Sequence, residues 1–246
     1  MRLPLLAALA LSVPSFAQEE TFASRFRVQL GFGGGEFEHR TDGSNLDDDT
    51  DAALLRFHFE GTTRRGFGGG VRFEGLASDD DLFEDAGFNS SEARLSSFLL
   101  HLTWRAQARR FSMPVRFGLW FNGYLLEDQV LDEDVSYGTL GPWLEVAPEF
   151  RLVDSRKFSW SLFAELGAGI GVTGIDVEND ANDYVSTTSA VALDVGTRLR
   201  GGPFELGLAF VNRWQSMDES DEEDGLVVLG YDTEFHGLLI TCSAVF

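Results

Sequence analysis

Apolar and polar residues alternate along ten stretches of this chain, and this alternation is the main structural signal in the sequence. In the first stretch, the apolar side chains from Phe26 to Phe32 share one parity, while arginine and glutamine take the other. In the last stretch, the apolar parity runs in steps of two from Leu238 to Phe246. Successive side chains of a β-strand point to opposite faces, so each stretch is predicted to be a strand with one apolar face. The chain is therefore predicted to be all-β.

The connections between these strands differ in length and in charge. Four are short and mostly basic, such as the one that carries Arg64 and Arg65, and five are longer and acidic. The acidic segments hold most of the 40 acidic residues and cover residues 41–51, 78–92, 127–136, 174–184 and 216–225. Short and long connections alternate strictly, so each kind collects at one end of the strands. A soluble β-sandwich needs no such sidedness, whereas it is typical of bacterial transmembrane barrels.

The apolar face is predicted to contact lipid. Lipid offers the backbone no hydrogen-bond partner, so strands can span a bilayer only as a closed barrel. The apolar face also carries aromatic residues near the short connections, as expected of a girdle at a membrane interface: Trp104, Phe111, Phe150, Phe158, Trp160, Phe204 and Phe246. We therefore predict a single antiparallel transmembrane β-barrel of about ten strands, with short periplasmic turns and long acidic extracellular loops.

The start of the chain predicts export. A positive first turn, an apolar run and a small-residue cleavage site ending at Ala17 predict a cleaved secretory signal peptide over residues 1–17. Residues 18–246 are expected to form one barrel domain, because no linker splits them. No later stretch reaches the roughly 18 apolar residues of a membrane helix. Cys242 is the single cysteine, so the sequence excludes an internal disulfide and a cysteine-based metal site.

The overall charge argues against one class of partner. The formal net charge is −21, from 40 acidic and 19 basic residues. Binding to nucleic acid needs clustered cations that neutralise phosphates, so no nucleic-acid partner is expected. The 22 phenylalanines and 27 glycines do not fit a solvated acidic tail, so the charge does not indicate a disordered chain either.

The end of the chain resembles a known class of protein. Residues 235–246, FHGLLITCSAVF, resemble the C-terminal strand of bacterial outer-membrane β-barrels, which ends on an aromatic residue. The resemblance implies a Gram-negative outer membrane, contact with its lipid and lipopolysaccharide, and recognition of Phe246 by the barrel-assembly machinery. It covers the whole mature chain but is architectural, so no functional residue can be transferred from a particular family.

The polar parity of the strands is predicted to line the lumen. Its charges nearly balance in sign, and this parity also includes Arg213, Glu205 and Tyr124. The twelve residues selected as the candidate site are Arg27, Arg56, His58, Glu60, Arg72, Glu74, Arg116, Glu145, Glu149, Glu165, Asp194 and Arg198. A barrel of about eight strands is filled by its own side chains, so ten strands are expected to hold Arg–carboxylate pairs rather than a wide pore. The alternative is a narrow, porin-like channel for ions or small solutes in which the same residues set ion preference.

The acidic segments allow three interpretations. They can be a solvated surface, a docking surface for a cationic partner, or weak sites for Ca²⁺ or Mg²⁺, which prefer carboxylate oxygens. The nearest approach to a calcium loop is Asp176-x-Glu178-x-Asp180, which lacks the central glycine of an EF-hand. Divalent ions that bridge these loops to lipopolysaccharide phosphates are one hypothesis.

An enzymatic role is less well supported by the sequence. In strand count the chain resembles the omptins, outer-membrane proteases that use paired aspartates and a histidine–aspartate pair at the outer mouth. His39 and His236 are the only histidines predicted near that mouth, and neither lies in an omptin-like motif. We expect no enzymatic activity and no cofactor, but a structural or surface-interaction role; a hydrolase at the mouth is the remaining possibility.

Overall fold

The computed structural model describes residues 25–43, 47–79, 82, 91–128, 133–155, 157–177, 184–222 and 227–246. The predicted signal peptide lies outside these residues. The strands are β1 (Arg25–Thr41), β2 (Asp47–Thr62), β3 (Phe67–Ser78), β4 (Ser91–Gln107), β5 (Phe111–Asp128), β6 (Glu133–Val146), β7 (Glu149–Asp154), β8 (Phe158–Val177), β9 (Tyr184–Gly201), β10 (Phe204–Met217) and β11 (Tyr231–Val245). No helix that could cross a membrane occurs among the described residues.

The strands close into one antiparallel barrel. Neighbours in sequence pair with each other, and β1 also pairs with β11, which joins the two ends of the sheet. The segments β6 and β7 form a single wall strand, since both pair with β5 on one side and β8 on the other. They are separated at Ala147 and Pro148, where proline has no N–H to donate to the ladder. The wall therefore has ten strands, which confirms the predicted fold.

The two ends of the barrel differ in how the strands are joined. At one end, called the turn end here, four short connections follow β2, β4, β7 and β9. Two of them contain glycines with positive φ, Gly66 at 82° and Gly202 at 60°, a conformation that side chains with a Cβ rarely adopt. The opposite end, called the loop end, carries the other five connections.

A belt of apolar side chains covers the outer wall on the turn-end side. Every strand that forms the wall contributes, and most residues of the predicted outward parity are exposed, with Leu102 and Phe246 each 72% exposed; a few, such as Val28 and Val71, are half-buried. The predicted girdle residues Trp104, Phe111, Phe150, Phe158, Trp160 and Phe204 all have exposed side chains near the turn end. A closed barrel with such a belt is suited to lipid and not to water, so the structure is that of a transmembrane barrel of the outer-membrane type.

The predicted bounds of the acidic loops are wrong. Asp47 to Asp51 belong to β2, and Glu92, Glu127, Asp134 and Asp176 also lie in strands rather than in loops. The prediction ended each strand where the apolar alternation stops. The hydrogen-bond ladder depends on the backbone, so it continues beyond the lipid with polar outward residues, as in the pairing of Arg40 with Asp47. The wall thus extends past the apolar belt and carries acidic residues on a rigid rim.

Candidate functional site: the barrel lumen

The structure places all twelve predicted lumen residues on the inner side of the wall. Eleven of them are buried, with exposed fractions of 9% or less, and the Glu149 side chain is 15% exposed. Strand parity accounts for this placement, because inner and outer positions alternate along each strand. Their mutual contacts could not be predicted, since these depend on how the strands are staggered around the barrel.

Four side chains form a ring of alternating charge across the lumen. Arg56 on β2 contacts Glu74 at 2.6 Å and Asp194 at 2.5 Å. Arg213 on β10 contacts the same two carboxylates, with 2.8 Å from its Nε to Glu74 and 2.7 Å from its Nη1 to Asp194. The ring joins β2 and β3 to β9 and β10 on the far side of the barrel. Each charge therefore has two opposite charges as partners.

Arg116 is the centre of a second group, in which Glu60 and Arg105 lie close to the turn end. Its Nε donates to Glu60 at 2.6 Å, and its Nη1 donates to Glu145. Glu145 also accepts from Arg72 at 2.7 Å, and Glu60 accepts from Arg105 at 2.8 Å. Short bonds between guanidinium and carboxylate are the strong class of protein hydrogen bonds. Both carboxylates of this group are thus held by two arginines.

Arg198 organises the charges nearest the turn end. It contacts Glu165 at 2.6 Å and Glu149 at 3.4 Å, and its guanidinium carbon lies 3.6 Å from the centre of the Phe163 ring. Glu205, 3.8 Å from Arg198, accepts from Arg27 at 2.6 Å. The aromatic face adds a cation–π contact to the ion pairs and fixes the plane of the guanidinium.

These groups join into one ion-pair network, in which every member lies within 4.0 Å of an oppositely charged member. It consists of Arg25, Arg27, Arg56, Arg72, Arg105, Arg116, Arg198, Arg213, Glu60, Glu74, Glu145, Glu149, Glu165, Asp194 and Glu205. Arg105 is not among the predicted lumen residues, because the apolar alternation of that strand ends at Trp104. Its parity, shared with Thr103, was the available signal.

A second layer fills the lumen closer to the loop end. It consists of His39 with Tyr124, Tyr137 and Tyr231, and is called the tyrosine layer here. The hydroxyl of Tyr124 lies 2.6 Å from Nδ1 of His39, and the ring centres of Tyr124 and Tyr231 are 4.9 Å apart. These residues come from opposite sides of the barrel, so the layer crosses the lumen. The sequence places Tyr124 in the lumen by its parity, but it does not predict a layer of aromatic rings across it.

Apolar side chains surround the tyrosine layer. Phe37, Leu54 and Phe235 are almost fully buried beside it, and Leu82 packs into the same cluster from the connection between β3 and β4. The tyrosine hydroxyls keep polar partners within this environment: Gln215 donates to the hydroxyl of Tyr231 at 2.5 Å. The lumen is therefore obstructed at two levels, by charge near the turn end and by aromatic rings near the loop end.

Two spaces lie beside these layers. A cavity of about 80 Å³ has Arg72 and Glu74 of the ion-pair network on one side and Phe37 and Phe235 on the other. A wider opening of about 230 Å³ lies at the turn end, where Arg25, Arg151 and Arg200 contribute to its lining. The first is large enough for a few water molecules. The second is a polar entrance to the network.

The two histidines considered for catalysis do not form one site. His39 faces the lumen and is buried in the tyrosine layer. His236 faces outward on β11, where its Nε2 lies 3.7 Å from Glu36 on the neighbouring strand. The barrel wall separates them.

Comparison with known proteins finds similarity among solved structures alone. No family model matches the chain, and no curated protein matches it. Among solved structures, the transport unit of the autotransporter AIDA-I from Escherichia coli matches with a TM-score of 0.44 at 10% identity, covering 97% of this chain and 94% of that one. The outer membrane protease OmpT from Escherichia coli matches with a TM-score of 0.41 at 10% identity, covering 92% and 98%.

A third solved structure, the attachment invasion locus protein Ail of Yersinia pestis, matches with a TM-score of 0.28 at 13% identity, covering 87% of this chain and 97% of that one. These proteins differ in activity, and the similarities are weak. The outer-membrane type of architecture follows instead from the closed sheet and the lipid-facing belt of this chain.

Proposed function

We propose that this protein is a closed, non-enzymatic barrel of the Gram-negative outer membrane that displays an acidic rim at the cell surface. The turn end would face the periplasm and the loop end the exterior, as in bacterial single-chain barrels. Its lumen is a structural core and conducts no solutes. The role is structural or interactive, and it depends on a rigid wall rather than on a reaction.

The observation that supports this function is the ion-pair network. Its contacts run across the lumen, as between Arg56 and Asp194, and not only between neighbouring strands. Removing one member of a buried pair leaves an opposite charge without a partner, so a network of this kind resists opening of the lumen. A conducting pore needs sites that ions can leave easily, and alternating charges held at 2.5–2.8 Å do not provide that.

The rim has the chemistry to bind at the surface. Asp47, Asp49 and Asp51 all face outward on β2, and Glu234 and Glu36 lie on neighbouring strands. We propose that divalent cations bridge such carboxylates to the phosphates of lipopolysaccharide. Glu178 and Asp180, considered for this role from the sequence, lie outside the described residues. Recognition of Phe246 by the barrel-assembly machinery stays a prediction.

A narrow channel is the second candidate. The cavity of about 80 Å³ and the opening of about 230 Å³ lie on the two sides of part of the ion-pair network. A local shift of a few side chains would be needed to join them into one path. In that case the same arginines and carboxylates would determine which ions pass.

Single-channel recording in a planar bilayer tests the closed barrel against the channel. The wild-type protein is expected to be silent, and a double variant, Arg116→Ala with Tyr231→Ala, is expected to give open steps because it weakens both layers. The matched control is Cys242→Ala, which changes an outward side chain and is expected to stay silent. A heat-dependent shift on a gel verifies folding of each protein. Reproducible steps in the wild type would contradict the closed barrel and favour the channel.

The surface role needs a separate measurement. Thermal unfolding is compared in lipopolysaccharide-containing bilayers with millimolar calcium and with chelator. A higher melting temperature in calcium is expected for the wild type and a smaller shift for Asp47→Asn with Asp49→Asn. Equal melting temperatures in both conditions would contradict a role for divalent ions.

A further inference from the structure

Two histidines and one glutamate face each other inside the wall near the turn end. Glu60 on β2 pairs with Gly70 on β3, and Gly70 pairs with His101 on β4, so the three positions form one row. His58 lies two residues before Glu60 on the same inner face. Gly70 has no side chain, so the middle of the row is open and the His101 ring occupies it: a Cβ at Gly70 would lie 3.0 Å from Cε1 of His101. The side chains from β2 and β4 can therefore meet across β3.

The donor atoms of these three side chains converge. One ligand atom from each of His58, Glu60 and His101 lies within 4.8 Å of the other two. Both imidazoles are 3% exposed, and Nε2 of each is buried with no hydrogen-bond partner among the described residues. A buried polar atom without a partner costs free energy, so its retention in two adjacent histidines calls for an occupant.

The protonation state of His101 follows from its contacts. Nδ1 of His101 lies 3.0 Å from the hydroxyl oxygen of Thr103, and that hydroxyl donates to Glu60 at 3.4 Å. A hydroxyl has one proton, so Thr103 must accept from Nδ1–H of His101. Nε2 of His101 then carries a free lone pair. Such a hydrogen bond on the other ring nitrogen is the usual support of a metal-binding histidine.

We propose that His58, Glu60 and His101 bind one divalent transition-metal ion of the Zn²⁺, Cu²⁺ or Ni²⁺ type. The ligands are Nε2 of the two histidines and a carboxylate oxygen of Glu60. Imidazole nitrogen selects these ions, whereas Ca²⁺ and Mg²⁺ prefer oxygen alone. Two histidines with one glutamate form a known catalytic zinc set, in which a fourth position is left open.

The surrounding arginines compete with a metal ion for Glu60. Glu60 is held by Arg105 through one oxygen and by Arg116 through the other, so an ion competes with both. Arg116 keeps Glu145 as a partner when Glu60 turns to the ion. Arg105 lies two residues from the end of β4 and can move toward the turn end. An ion therefore enters from the periplasmic side and displaces Arg105 from Glu60.

Titration calorimetry with Zn²⁺ tests the site in the folded, detergent-purified protein, prepared without a histidine tag and stripped with chelator. One ion per barrel is expected for the wild type. His58→Gln and His101→Gln are each expected to weaken Zn²⁺ binding by more than about tenfold. Loss of a residue that only supports a ligand already costs about tenfold, and these two residues are the ligands themselves. Arg105→Gln is expected to bind more tightly, because it removes the competing cation. The matched control is His236→Gln, whose exposed imidazole lies near the loop end.

A second readout identifies the ligands directly. One equivalent of Cu²⁺ is expected to show coupling to two nitrogens in electron paramagnetic resonance, and to one nitrogen in either glutamine variant. The heat-dependent gel shift confirms that each variant is folded, and if one glutamine variant fails to fold the other decides. No Zn²⁺ binding by the wild type would overturn the proposal. So would equal affinities of the wild type and a folded His101→Gln variant.

Discussion

Arg56 and Arg213 are predicted to be energetically coupled, because they share the same two carboxylates. Replacing Arg56 by alanine removes contacts of 2.6 Å to Glu74 and 2.5 Å to Asp194, yet Arg213 still holds both. Each single alanine variant is therefore expected to lower the free energy of unfolding by about 3 kcal/mol, the lower end for breaking a buried pair.

The double variant is expected to cost more than the sum of the two. Without Arg56 and Arg213, Asp194 has no arginine within 4.0 Å among the described residues, and Glu74 has only Arg72 at 3.8 Å. Asp194 is then a buried carboxylate without an arginine partner, which neither single variant produces. We expect the double variant to exceed additivity by about 1–3 kcal/mol, the range for residues of one ion-pair network.

Urea unfolding from lipid vesicles, followed by tryptophan fluorescence, measures the free energy of unfolding of the wild type, the two single variants and the double variant. Arg94→Ala is a suitable control, because that side chain is 51% exposed at the rim and pairs with Glu92 and Glu127 in water. Its effect is expected to stay within about 1 kcal/mol. Additivity of Arg56→Ala and Arg213→Ala to within about 0.5 kcal/mol would refute the shared-partner interpretation.

Two further predictions concern the outer face and the inner packing. Leu102→Arg, in the middle of the apolar belt, is expected to destabilise the folded protein in bilayers by about 2–4 kcal/mol, and Val185→Arg, above the belt, by about 0–1 kcal/mol. Equal effects would place the membrane elsewhere. Gly167→Ala is expected to cost about 1–3 kcal/mol, because its Cβ would lie 2.4 Å from the Trp143 ring, and Trp143→Phe is expected to recover part of that loss. Urea unfolding measures both, and an unchanged Gly167→Ala would show that the indole ring moves freely.

The sequence predicted the wall well, because wall formation depends on local alternation. The parity that puts Phe26 outward and Arg27 inward can be read from neighbouring residues, and it holds from strand to strand. The number of strands followed from the alternation of short basic and long acidic connections. Only the break at Pro148 adds detail, and it leaves the strand count unchanged.

The contents of the lumen were harder to predict, because contacts there join residues far apart in the chain. Arg56 and Asp194 meet only after the barrel has closed with a particular stagger, which no local pattern encodes. Of the tyrosine layer, parity predicts only Tyr124 in the lumen, and the other tyrosines escape prediction for a related reason. Tyr137 and Tyr231 lie in stretches that were assigned to loops or their edges, beyond the apolar alternation. His39 was placed at the rim for the same reason, although it is buried.

The ion-pair network also determines how the barrel comes apart. Its bonds link β2 to β9 and β3 to β10, so no hairpin can leave the wall without exposing charges that other hairpins still hold. Every strand except β11 contributes a member of the network, and β11 lies between β1 and β10, so partial opening is costly around the wall and the barrel should behave as one cooperative unit. Amide protons of the wall strands would then exchange with solvent through a common global event, and the two chain-terminal strands would be protected as strongly as their neighbours.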